Sequence, residues 1–79
     1  MAASVKGTVV NAIYIPQARC VTITLKDHNG KVLKPIAIYE ESFAFKPDQD
    51  VDSQMEQIAL LLRKFKYPIT IQYEENKQT

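Results

Sequence analysis

An Asn-Gly pair, Asn29-Gly30, stands between two runs of alternating apolar residues, and no other feature of the chain narrows the choice of fold as much. Asn-Gly is the strongest short-range hairpin signal, because a type I′ turn needs positive φ at both central positions. Before it, Val21, Ile23 and Leu25 alternate with Cys20, Thr22, Thr24 and Lys26, the period-two pattern of a half-buried strand. Placing Asn29-Gly30 at the tip sets Val21 opposite Ile38 and Ile23 opposite Ile36. The same register puts Lys34 opposite Leu25. It also puts Pro35, which has no N–H, where the ladder needs a donor, so a bulge or break is expected near Lys34-Pro35.

The remaining elements follow from periodicity. Val5, Val9, Ile13 and Ile15 recur at odd positions and predict a first strand, with room for a bend or bulge at Gly7 and Val9-Val10. Pro16 and Gln17 then turn the chain. Phe43 and Phe45 mark either a short edge strand or a loop that drops two rings onto the core, closed by Pro47. Ser53-Gln54-Met55-Glu56 matches a capping box. Met55, Ile58, Ala59, Leu62 and Phe65 then recur at helical spacing and predict an amphipathic helix over about residues 52–66. Arg63, Lys64 and Lys66 fall in its last turn, where cations suit the carbonyl end of the dipole. After Pro68, Ile69, Ile71 and Tyr73 alternate in a last strand. The order β-β-β-(β)-α-β gives an α+β fold, a small antiparallel sheet of three to five strands with one helix packed on one face. One domain spans 1–79, with 1–4 and 74–79 read as frayed tails.

Composition bounds the function. Seventy-nine residues can bury roughly 60% of their unfolded surface, enough for a modest core but not for a deep catalytic cleft. A hydrophobic fraction of 46% with 24% charged residues excludes general disorder. A net charge of +1, with no block of like charge, argues against a strongly cationic nucleic-acid binder and against an acidic mimic. The single cysteine, Cys20, leaves no internal disulfide, which argues against a small secreted scaffold. Met1-Ala2-Ala3-Ser4 lacks a signal-peptide pattern, and the longest apolar run, Ile58 to Leu62, is far short of the ~20 residues that span a bilayer. The expectation is a cytoplasmic chain without membrane contact.

Reactive groups are sparse. Asp48, Asp50 and Asp52 have the spacing that opens a calcium loop, but Ser53 stands where its glycine belongs and Ala59 where its glutamate belongs. Acids before a helix N-terminus complement the dipole instead. His28 lies alone at the hairpin tip, and Cys20 has neither a C-x-x-C partner nor a neighbouring histidine. The two glycines form no phosphate loop. Neither catalysis, a metal nor a cofactor is expected.

One face of the sheet has no helix to cover it. Alternation assigns it Lys6, Thr8, Val10, Ala12 and Tyr14 from the first strand, and Cys20, Thr22, Thr24 and Lys26 from the second. Leu33, Ala37 and Tyr39 come from the third. That mixture is too apolar for a face that only meets water. The leading expectation is a non-catalytic protein-interaction module (an adaptor, inhibitor or accessory subunit) with a protein partner or a second copy. It would bind through Tyr14, Tyr39, Val10, Lys26, Thr22 and Thr24, or pair through an edge strand.

The β-rich order, with a helix before the final strand, is also similar to an OB-fold barrel, whose curved sheet holds single-stranded nucleic acid. That resemblance implies stacking on Tyr14 and Tyr39 and backbone contacts from Lys6, Arg19, Lys26 and Lys34. The sequence departs from the pattern in having one strand after the helix rather than two, and no RNP-type motif.

Overall fold

The computed structural model describes residues 2–74. They form β1 (Ala2–Ile15), β2 (Cys20–Lys26), β3 (Ile36–Tyr39), α1 (Val51–Lys64) and β4 (Ile69–Glu74), with a 3-10 turn at Glu40–Ser42 after β3. The strands make one antiparallel sheet in the order β3-β2-β1-β4, with α1 on one face. This is the α+β architecture the periodicity predicts. Residues 43–46 form no strand, and Phe43 and Phe45 instead pack together against the buried cluster, their ring centres 6.0 Å apart. Ala2 to Ser4, expected to fray, pair with residues 72–74 of β4.

β1 organises the sheet because it serves two neighbours in succession. Its first half, Ala2 to Gly7, pairs with β4, and its second half, Thr8 to Ile15, pairs with β2. At the crossover, a Cβ on Gly7 would lie 2.7 Å from the Lys26 carbonyl oxygen and 3.1 Å from the Leu25 Cβ. Only glycine allows that approach. Just beyond, the β1–β2 register shifts between Val9 and Asn11, leaving Val10 as the extra residue of a bulge. A bulge reverses the facing of every later residue in the strand relative to strict alternation. Ala12 and Tyr14 therefore face α1 and are buried, whereas Ile13 and Ile15 are exposed on the other side. This corrects the alternation-based assignment of all four.

The β2–β3 hairpin keeps the expected register, Val21 opposite Ile38 and Ile23 opposite Ile36. Its ladder breaks before β3, with only a bridge between Lys26 and Val32 and a Leu33 N–H bond to the Leu25 carbonyl at 2.8 Å. The tip is not type I′. Gly30 has φ +85 and Asn29 has no positive φ. The Gly30 N–H donates to the Asp27 carbonyl at 3.0 Å and the Asp27 N–H to the Lys31 carbonyl at 2.9 Å. That is a type I-like turn ended by a left-handed glycine, the usual three-residue hairpin loop.

Helix α1 starts three residues earlier than the capping-box reading requires, at Val51. Asp50 is the N-cap, and its carboxylate accepts from the Ser53 N–H at 2.9 Å and the Ser53 hydroxyl at 3.1 Å. The helix lays Met55 and Ala59, both fully buried, against Val9, Ala12, Tyr14, Val21, Ile23 and Leu25. Ala12 and Ala59 are small, which lets helix and sheet approach closely. Burial of each large member such as Leu25 or Met55 stabilises the fold by about 1.5–3 kcal/mol. Arg63 donates to the Ala12 carbonyl at 2.8 Å, on the half of β1 that β4 does not reach. Phe65, expected on the core stripe, instead caps the helix and is 46% exposed.

Candidate interaction surface

The face of the sheet opposite α1 is uncovered among the described residues. Cross-strand pairing arranges it in rows, because residues directly opposite in a ladder share a face. Ile15, Cys20 and Tyr39 form one row, Ile13, Thr22 and Ala37 the next, and Asn11 with Thr24 a third. Thr8 and Lys26 follow, with Lys6 beyond on β1. Ile13 and Tyr39 are each 49% exposed, Val10 47% and Ile15 36%. Together they present on the order of 400 Å² of apolar surface, within the range of the largest patches on monomers, which are often functional. Cys20, flanked in its row by Ile15 and Tyr39, is buried.

Six side chains were expected to form this surface. Tyr39, Thr22, Thr24 and Lys26 do share the open face, and Val10 is exposed at the bulge beside it. Tyr14 does not belong to it: its ring packs under α1 and is 7% exposed. Leu33 also turns toward the buried cluster. Ile13 and Ile15 take the places that alternation gave to Ala12 and Tyr14, and Asn11 joins them. The adjacent Val9-Val10 pair was the available signal, since a period-two strand with two successive β-branched apolar residues must break its period somewhere.

The cations of the nucleic-acid reading scatter. Lys6 and Lys26 lie on the open face and Lys34 is exposed in the connection between β2 and β3. Arg19 is engaged elsewhere. It has φ +56, its carbonyl accepts from the Glu40 N–H at 3.0 Å, and its guanidinium pairs with Glu40 and, at 3.1 Å, with Asp52. The Tyr14 hydroxyl donates to the same Asp52 carboxylate. That bond, with burial second, raises the Tyr14 phenol above its ordinary pKa, and the Glu40 bond raises the Arg19 guanidinium likewise. The network ties the β1–β2 turn and the 3-10 turn to the first turn of α1.

Beside it, a shallow groove of about 400 Å³ is lined by Tyr14, Pro16, Asp52, Ser53, Glu56 and Gln57. Its carboxylates, Asp52 and Glu56, stand beside the Tyr14 phenol and the Ser53 hydroxyl, and its lining holds no histidine. No cluster of three His, Cys, Asp or Glu side chains suited to a metal ion occurs among the described residues. Nor is any described helix long and apolar enough to cross a membrane. A second apolar group, Leu61, Phe65 and Tyr67, is exposed at the end of α1, with Phe65 and Tyr67 edge to face at 5.8 Å. Comparison with protein families, curated proteins and solved structures finds no match to this chain.

Proposed function

We propose that this chain is a non-catalytic protein-interaction module whose binding surface is the open sheet face centred on Ile13, Thr22 and Tyr39. The observation that carries the reading is the exposure of Ile13, Ile15, Tyr39 and Val10 on a hydrogen-bonded, three-strand platform. A rigid backbone presents its side chains at little entropic cost on binding, and a half-exposed tyrosine is a favoured anchor. Thr24 and Asn11, one row along from Thr22, supply a neutral polar rim. The sheet face is preferred to the Leu61–Tyr67 group because it spans three paired strands rather than the C-terminal end of one helix.

Single-stranded nucleic acid is the weaker reading. Tyr14 has no free ring face for stacking, and Arg19 already holds two carboxylates. The test is affinity capture from lysate of the native cell, with and without nuclease, using the wild type, Ile13→Asp and Tyr39→Ala. Capture of a defined protein (a second copy of the chain included) that survives nuclease and is lost in both variants is the expected result. Capture abolished by nuclease, or indifferent to both substitutions, overturns the reading.

A further inference from the structure

The open face carries its charge unevenly along the strands, and that asymmetry identifies an occupant. At one end stand Lys26 and Lys6, with Lys31 and Lys34 in the adjoining hairpin loop and connection. At the other, immediately after Tyr39, come Glu40, paired with the Arg19 guanidinium, and the exposed Glu41. Between the two ends, the rows Ile15–Cys20–Tyr39, Ile13–Thr22–Ala37 and Asn11–Thr24 contain no charge at all. A neutral centre with opposite ends is complementary to its own copy turned end for end.

We propose that the partner of this face is a second copy of the chain, stacked sheet to sheet about a two-fold axis that lies between the sheets and crosses the strands. The proposal rests on the interaction-module reading. An axis along the Ile13–Thr22–Ala37 row sets Ile13 against Ile13 of the second copy, an isologous contact. It carries Ile15 onto the Val10–Asn11 segment of the copy and Tyr39 onto the level of Pro35. Lys26, four residues from Thr22 along β2, then reaches four residues to the other side, toward the end of the copy where the 3-10 turn after Tyr39 carries Glu41. The alternative axis, parallel to the strands, stacks lysines on lysines and is disfavoured.

The dimensions agree. The protein measures 41 × 34 × 19 Å, and its short dimension is one sheet plus one helix, each layer about 10 Å deep. Stacking two copies creates the sheet-on-sheet packing, about 10 Å apart and some 30° off parallel, that buries apolar faces in sandwiches. The broad dimensions leave room for the ~800 Å² per partner of a standard interface.

Sedimentation equilibrium from about 1 µM to about 1 mM chain tests the proposal. The wild type is expected to dimerise, and Ile13→Asp to be monomeric with an unchanged circular dichroism spectrum. Lys26→Glu and Glu41→Lys are each expected to weaken association about tenfold, and the double variant to restore it, because the exchanged charges meet across the two-fold. A wild type that stays monomeric, or a dimer that ignores all of these substitutions, overturns the proposal. A monomer that still captures a different protein through Ile13 overturns only the second-copy assignment. A monomer with no Ile13-dependent capture overturns the interaction-module reading as well.

Discussion

At the scale of single residues, two positions are fixed by geometry that their neighbours impose. Gly7 has no space for a side chain, with the Lys26 carbonyl 2.7 Å from where a Cβ would stand. The obstacle is backbone, which cannot swing aside, so Gly7→Ala is expected to destabilise the fold by about 1–3 kcal/mol. Urea unfolding measures this, and a variant as stable as wild type contradicts the crossover described for β1. Asp27 is the second. The Lys31 N–H, and after it the Asn29 N–H, donate to its carboxylate at 2.9 Å and hold its pKa below the ordinary value. A depressed carboxylate stabilises the folded state fully above its unfolded pKa, about 3.9, and loses that contribution as pH falls through the lower folded value. An NMR titration should therefore find Asp27 titrating below its unfolded value of about 3.9, and a midpoint at or above that value contradicts the turn geometry.

At the scale of elements, the sequence reads well where one local signal decides and poorly where two signals compete or the deciding contact is distant. Asn29-Gly30 and the flanking alternation were enough for the register of Val21 on Ile38, although the turn uses one positive φ instead of two. The helix was legible from Met55, Ala59 and Leu62, but its cap was not, because Asp50-x-x-Ser53 and Ser53-x-x-Glu56 overlap in the same seven residues. The two caps make different predictions. Asp50→Ala should cost about 1 kcal/mol of stability, whereas Glu56→Ala should cost almost nothing. Equal losses in thermal unfolding would restore the capping box. In β1, strict alternation failed after one inserted residue, Val10, so the facing of Ala12, Ile13, Tyr14 and Ile15 all reversed together. The pairing of Ala2–Gly7 with residues 69–74 had no local signal, since it joins segments more than sixty residues apart.

At the scale of the whole molecule, the described residues form a two-layer structure with one face of its sheet buried under α1 and the other open. The candidate site follows from that fact more than from any one side chain. Composition and the absence of reactive clusters pointed toward a binding surface, and alternation placed Tyr39, Thr22, Thr24 and Lys26 on it. The apolar centre, Ile13 and Ile15, became visible only once the bulge at Val10 was located. The most direct measurement is photo-crosslinking with a photoreactive residue at position 13, against a control at the exposed helix position Gln57. The open-face account predicts protein adducts from position 13, whether with a second copy or another chain, and none of comparable yield from position 57. Equal yields from both positions, or adducts from position 57 alone, would contradict it.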